Sequence, residues 1–345
     1  SNVSYDSQVS RWRFEDMAFT VLRATYFKRT NRSFEDSDFE SFGIINENGE
    51  LTNAGALLAD YSPVRHSRLF CTRWNGKDKA NGVMDALDDE EYSGSLVTLL
   101  QAGLDFVRRN TKKAWRKTPD NRLEYPEYPE RAVEEGLVNA LIHRNYLELG
   151  SEVHIDMYDD RLEIFSPGGL MDGGSIKDMD VMNMASRRRN PILADIFSRL
   201  KYMECRGSGF KKIVSAYNSH DGYTEGMDPT FSTPWDSFVL TLPKFKVVGI
   251  KGVYVSNGDE DNSVEPGGQT GGQTSGQTSG QTSGRTTVDE VLRLIKENPQ
   301  ITRNALSKTL CIATSAVQKH INRLKSDGII RRIGGDYGGH WEIVK

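Results

Sequence analysis

Between Gln269 and Gly284 the chain repeats a four-residue unit, QTGG once and then QTSG three times. Nothing in these units is apolar, so burial cannot offset the entropy of ordering them. An acidic stretch, Gly258-Asp259-Glu260-Asp261-Asn262, and then Glu265-Pro266-Gly267-Gly268 lead into the repeat. The tract reads as a Gly/Ser-type linker, with a polar zipper as the alternative. Twenty such residues span about 25 Å root-mean-square as a flexible coil. A chain built this way folds in pieces, with a large body before the tract and a short segment after it.

The short segment, from Arg285 on, holds 11 Lys and Arg against 6 Asp and Glu, a charge of +5. The whole chain has a formal charge of −4, so the remainder carries −9. That asymmetry concentrates any nucleic-acid contact at the C-terminus. The spacing predicts a helix over Val288 to Glu297, closed by Asn298-Pro299. Thr302 is placed to cap a second helix, Arg303 to Leu310. A third begins at Ala313-Thr314-Ser315 and stops at Asp327-Gly328. Ile329 to Arg332 and His340 to Val344 read as strands around a tight wing, Gly334 to Gly339. Leu306, Leu310, Val317, Ile321 and Leu324 supply a core at helical spacing. Ser315, Gln318, Lys319, Asn322 and Arg323 then face away from it, and Arg331 and Arg332 sit on the first wing strand. Such side chains donate to phosphates and base edges. The segment ITRNALSKTLCIATSAVQKHINRLKSDGIIRRIG resembles a winged helix-turn-helix, which implies DNA as partner; some winged helices bind only protein.

The 345 residues allow two or three domains. No run of about 18 apolar residues occurs, and the N-terminus lacks the regions of a signal peptide. Ser1-Asn2 looks like a cloning scar, so an upstream domain is expected to be missing. Cys71, Cys205 and Cys311 fit neither a zinc spacing nor a disulfide framework; reduced thiols in a cytoplasm are the simplest reading.

The body reads as mixed α/β. Helices are predicted over Arg13 to Tyr26, over Ser93 to Arg109 with Leu96, Leu99, Leu100, Leu104 and Val107 on one face, and over Pro129 to Tyr146. Leu51-Thr52-Asn53-Ala54-Gly55 opens a short helix, and Arg68 to Trp74 reads as a strand. Val153, Ile155 and Met157 alternate with polar residues up to Asp159-Asp160, and Leu162 and Ile164 alternate after it, which is a hairpin. Helices follow from Pro191 and after Gly207, and Ser237 to Leu242 is a last strand.

One helix carries a polar stripe. At about 100° per residue, Glu135, Asn139 and His143 share an arc of about 80° on an otherwise apolar helix. Such a stripe faces solvent, a partner or a cavity. A Glu one turn before an Asn puts a base beside a magnesium ligand, about 6 Å along the axis. A solvated helix face is the alternative.

EEGLVNALIHRNY (Glu134 to Tyr146), YDDRLEIFSPGGL (Tyr158 to Leu170), RRNPILADIFSRL (Arg188 to Leu200) and ECRGSGFKKI (Glu204 to Ile213) resemble, in order, the RecG-like C-terminal domain of bacterial transcriptional regulators. That domain is a divergent member of the GHKL (Bergerat-fold) ATPase group. INENGELTNAGALLAD upstream is also similar, so the resemblance covers the chain from about Phe34 to the end. It implies an α/β (α+β) GHKL-like two-layer sandwich body with a small winged helix-turn-helix. The expected segments are 1–120, an N-terminal α/β portion; 121–247, the ATPase-like domain; 248–286, the linker; and 287–345, the winged helix. Many members begin with a Schlafen-type AlbA-like domain.

The resemblance implies ATP and Mg as ligands. By it Glu135 is the water-activating base and Asn139 the magnesium ligand, with His143 and Arg144 near the phosphates. Ser166, Gly168 and Gly169 form the loop after the hairpin that usually carries an adenine-reading Asp, and Gly207 and Gly209 the phosphate loop. Arg187 to Arg189 fall in a lid-like region. Two departures stand out: Ser166 replaces that Asp, and the phosphate loop lacks a third glycine. No G-x-x-x-x-G-K-[ST] stretch occurs, so a P-loop helicase is excluded. Three functions follow: a DNA-binding regulator whose body senses a nucleotide, a magnesium-dependent ATPase with the winged helix as an interaction module, and a dimerising scaffold. A homodimer would add half-site specificity.

Overall fold

The computed structural model describes residues 3–80, 82–117, 119, 122–171, 188–204, 209–247, 254–257, 287–310, 314–333 and 340–344. They form two compact units: Ser1–Asp78 with Glu90–Asn262, and Lys79–Asp89 with Ser263–Lys345.

The larger unit begins with α1 (Thr20–Thr30), α2 (Asp38–Ser41) and α3 (Asn53–Leu58). The next elements are β1 (Leu69–Arg73), β2 (Asp88–Tyr92, whose first two residues group with the smaller unit), α4 (Leu96–Arg109), β3 (Lys112–Lys117), β4 (Arg122–Pro126) and α5 (Glu130–His143). The hairpin β5 (Val153–Met157) and β6 (Arg161–Pro167) precedes α6 (Pro191–Arg199), α7 (Gly209–Asn218), β7 (Thr230–Ser232), β8 (Ser237–Pro243) and β9 (Tyr254–Asn257).

The main sheet has the order β2-β1-β5-β6-β8-β7. β1 runs parallel to β5, with Leu69 opposite Val153, while β5, β6, β8 and β7 are antiparallel neighbours. A second antiparallel sheet has the order β4-β3-β9. Gly136 lets α5 sit tightly on the main sheet, since a Cβ there would lie 2.5 Å from Leu240 Cδ2 and 3.1 Å from Ile164 Cδ1. One hydrophobic core runs from Phe19 and Leu22 through Leu137 and Ile164 to Leu240 and Phe245. Helices over a mixed sheet are the α/β body that the sequence predicts.

Three departures have identifiable causes. The first helix starts at Thr20 rather than Arg13, because the Asp60 carboxylate accepts from Thr20 N at 3.0 Å and Val21 N at 2.9 Å. A cap from forty residues away leaves no local signature. Strands β2, β3 and β4 carry DDEEY, KKAWRK and RLEYP, whose charges hide the alternation expected of a half-buried strand. β9 lies inside the stretch read as linker, where Tyr254 and Val255 have strand character; the QTSG repeat lies outside the described residues.

The smaller unit contains α8 (Thr287–Glu297), α9 (Arg303–Leu310), α10 (Thr314–Ser326), β10 (Ile330–Ile333) and β11 (His340–Ile343). Val291, Ile295, Leu306, Val317, Ile321, Leu324 and Trp341 form its core. Thr302 Oγ1 accepts from Ala305 N at 3.1 Å and starts α9. Gly328, at φ 66, ends α10 in the left-handed conformation. β10 and β11 pair antiparallel, with Ile330 opposite Ile343; the wing tip between them lies outside the described residues. No helix among the described residues is long and apolar enough to cross a membrane.

Candidate functional site

The polar stripe of α5 does not face open solvent. Glu135 is buried, and Asn139 and His143 are partly buried. Opposite them stands the first residue of α7. A Cβ on Gly209 would lie 2.8 Å from both Glu135 Oε1 and Asn139 Nδ2. A carboxylate and an amide thus converge on a helix N-terminus, where the free N–H groups favour anionic oxygen.

Lys212, one turn along α7, reaches the same place. Its Nζ is 3.9 Å from Glu135 Oε2 and 3.4 Å from Glu204 Oε1. Burial pushes the Glu135 carboxyl up from its ordinary value, and Lys212 and Arg131 oppose that push. Arg131, Glu134, Glu135, Lys201, Glu204 and Lys212 line a cleft of about 770 Å³. Sequence reasoning missed Lys212, although its three-residue spacing from Gly209 was a usable signal. Gly207 lies outside the described residues.

The C-terminal end of α5 is built differently. The fully buried Asn190 donates through Nδ2 to the carbonyls of Ile142 and Arg144, each at 2.8 Å, and closes the helix. Ser166 Oγ, also buried, donates to the Ala140 carbonyl at 2.7 Å. Arg144 is buried: Nη1 donates to His66 O at 2.6 Å, and Nη2 donates to Glu148 O at 3.3 Å and to Ser151 O. Its fork ties the following loop to the turn before β1 and is spent on carbonyls.

Gly168, at φ 96, lies against Arg189, and a Cβ on it would be 1.9 Å from Arg189 Nη1. Arg189 Nη2 donates to Gly169 O at 2.7 Å, whereas its buried Nη1 has no partner among the described residues. Burial, with Arg189 and Arg188 alongside, pushes His143 down to about 4. At neutral pH that imidazole is uncharged. The structure therefore groups Glu135, Asn139 and Gly209 with Lys212, and His143, Gly168 and Gly169 with Arg189. Arg187 lies outside the described residues.

A polyphosphate with its magnesium fits the first group through the Gly209 cradle, the Asn139 amide and Lys212. Among the described residues no cluster of three or more His, Cys, Asp or Glu could hold a metal alone. Phosphate oxygens would have to complete the shell. The adenine end fits less well, because Ser166 spends its only donor on α5 and is 3% exposed.

On α10, Gln318, Lys319, Asn322 and Arg323 lie opposite the buried Val317, Ile321 and Leu324. Arg303 Nη1 donates to Gln318 Oε1 at 2.7 Å, and Gln318 Nε2 donates to Asn322 Oδ1 at 2.8 Å. Lys319 and Arg323 are ion-paired with Asp89 and Asp85. Arg331 pairs with Glu342 across the wing strands, and Arg332 stacks over Trp341 at 4.9 Å. Ser315 belongs to α10, but its side chain lies outside the described residues.

Residues 150–242 match the family model "Putative ATP-dependent DNA helicase recG C-terminal", and residues 290–331 match the model for winged helix-turn-helix DNA-binding segments. These are the two parts of the architecture expected from the sequence. The crystal structure of the DIP2311 protein from Corynebacterium diphtheriae is similar in fold, with a TM-score of 0.55 at 18% identity. The similarity covers 99% of this chain and 64% of that one, so the chain spans under two thirds of its length. No curated protein matches.

Proposed function

We propose that this chain is a DNA-binding regulator whose winged helix reads duplex DNA and whose body binds a phosphate-bearing ligand. The observation that carries the proposal is α10. Its apolar residues close a core, and its amide and cationic side chains form a continuous strip on the other side, as a helix entering a major groove requires. The match to a winged helix-turn-helix DNA-binding family supports this reading. Recovery of bound duplexes from a random pool, with the full chain as bait, tests it. The expected outcome is an enriched short motif that Gln318→Ala/Asn322→Ala scrambles. Identical unenriched pools from both proteins would refute base reading.

For the body, support comes from the convergence of Asn139, Lys212 and the start of α7 on one point. Asn139 and Lys212 would hold the phosphates and orient the magnesium, which supplies charge neutralisation when bound. Glu135 beside them also favours a second reading, a slow magnesium-dependent ATPase. A thermal-shift series with ATP, ADP and pyrophosphate, each with magnesium, tests ligand binding. Saturation at about 100 times the dissociation constant stabilises by about 2.7 kcal/mol. No shift with any of the three refutes the phosphate site. Turnover lost in Glu135→Gln with binding retained would establish the second reading.

A further inference from the structure

Three of the four cations assigned to DNA already have anionic partners: Arg331 pairs with Glu342 across the wing strands, and Lys319 and Arg323 pair with an upstream segment. The smaller unit contains the upstream segment Lys79–Asp89, which holds a short 3-10 turn, Val83–Asp85, and enters β2 at Asp88. Lys319 Nζ lies 2.8 Å from Asp89 Oδ2, and Arg323 Nη1 lies 2.8 Å from Asp85 Oδ1. Lys319 and Arg323 are one turn apart on α10, and the two carboxylates meet them as a matched pair. The contact is shielded on three of its four members: the Asp85, Asp89 and Lys319 side chains are 20%, 32% and 28% exposed, whereas Arg323 is 51% exposed. Asp88, Glu90 and Glu91 extend the same acidic run.

A carboxylate oxygen presents to ammonium and guanidinium groups the same charge and hydrogen-bond geometry as a phosphate oxygen. DNA cannot neutralise Lys319 and Arg323 while Asp89 and Asp85 hold them. We infer that the Asp85–Asp89 segment is an intramolecular acidic cover on α10 that competes with DNA phosphates for Lys319 and Arg323. The inference rests on the DNA-binding reading above and names how that surface is regulated. Binding becomes a two-state problem: the cover must leave before the helix docks, and the apparent affinity is reduced by the covered fraction.

The test uses the full chain and anisotropy of a labelled random-sequence duplex at one fixed salt concentration. Asp85→Asn/Asp89→Asn uncovers α10. Glu47→Gln/Glu225→Gln changes the net charge equally, at two exposed acids of the larger unit. Lys319→Ala/Arg323→Ala removes the contested cations. Each partly exposed pair is worth up to about fivefold, so the first variant should bind about three- to twentyfold tighter. The charge control should stay within about twofold of the parent, because exposed charges that pair with none of the α10 cations are screened by salt. The cation variant should bind at least about tenfold more weakly. Asp85→Lys/Asp89→Lys, expected to bind tighter still, replaces the Asn variant should that one misfold. If neutralising Asp85 and Asp89 tightens binding no more than the charge control does, while the cation variant still weakens it, the cover is overturned and DNA reading stands. If the cation variant binds as the parent does, or no protein binds, DNA reading by α10 falls and the cover falls with it.

Discussion

Substituting Gly168 tests the packing of the glycine loop against Arg189. In Gly168→Ala the new Cβ would meet Arg189 Nη1 at 1.9 Å and Asn145 Cβ at 2.6 Å, on a backbone held at φ 96. The left-handed conformation costs an L-residue about 1–2 kcal/mol. Forcing a methyl group into an occupied site costs about 1–3 kcal/mol more. The expected loss is therefore about 2–5 kcal/mol, or about 4–20 °C in Tm for a unit of this size. Tryptophan fluorescence during urea unfolding is a suitable assay, because Trp12, Trp74, Trp115 and Trp235 all lie in the larger unit. The decisive comparison repeats the substitution in Arg189→Ala. There the clash with the guanidinium is gone while the 2.6 Å approach to Asn145 Cβ remains, so Gly168→Ala should cost about 1 kcal/mol less than in the parent. An equal cost in both backgrounds would refute the claim that Arg189 fills the loop.

Asn190→Ala should destabilise the larger unit by about 1–3 kcal/mol, because the carbonyls of Ile142 and Arg144 lose their shared donor in a buried place; urea unfolding reads it, and a change below about 0.5 kcal/mol argues against the cap. Lys212→Met should weaken pyrophosphate binding about tenfold, read by calorimetry, since the cation facing the start of α7 is removed; unchanged affinity would move the phosphate site elsewhere. His143 gives a pH signature. Its folded value of about 4 lies below the unfolded value of about 6.5, so above 6.5 it is neutral in both states and adds no slope. Between 6.5 and 4 the unfolded chain takes the proton first, and stability falls as pH drops, by at most about 3 kcal/mol. Glu135, raised by burial, pulls the other way, so the reading is the difference between the parent and His143→Gln. A difference that stays flat across that window would contradict the partly buried, neutral imidazole.

The elements most legible in the sequence are those whose order is local. The β5–β6 hairpin announces itself through Val153, Ile155, Met157, Leu162 and Ile164 around Asp159-Asp160, and the winged helix through caps and an apolar repeat. The Glu135–Asn139 pair was legible for the same reason, as a stripe on a periodic helix. Illegible parts depend on distant partners. Asp60 starts α1 from forty residues further along the chain. Ser166 turns its hydroxyl into α5, and Arg144 spends its guanidinium on three carbonyls, so both serve the scaffold around the site. Neither role leaves a mark on neighbouring residues. The pairing of Lys319 and Arg323 with Asp89 and Asp85 joins positions more than two hundred residues apart, which no spacing rule reaches.

The claim that α10 engages DNA through its cations is most directly tested by a salt series on duplex binding by the full chain. Lys319, Arg323, Arg331 and Arg332 on phosphates would give a slope of log K against log salt of about −3 to −4. Lys319→Ala/Arg323→Ala should reduce that slope by about 2, one for each cation removed. A slope near zero, or a steep slope that this variant leaves untouched, would contradict the account.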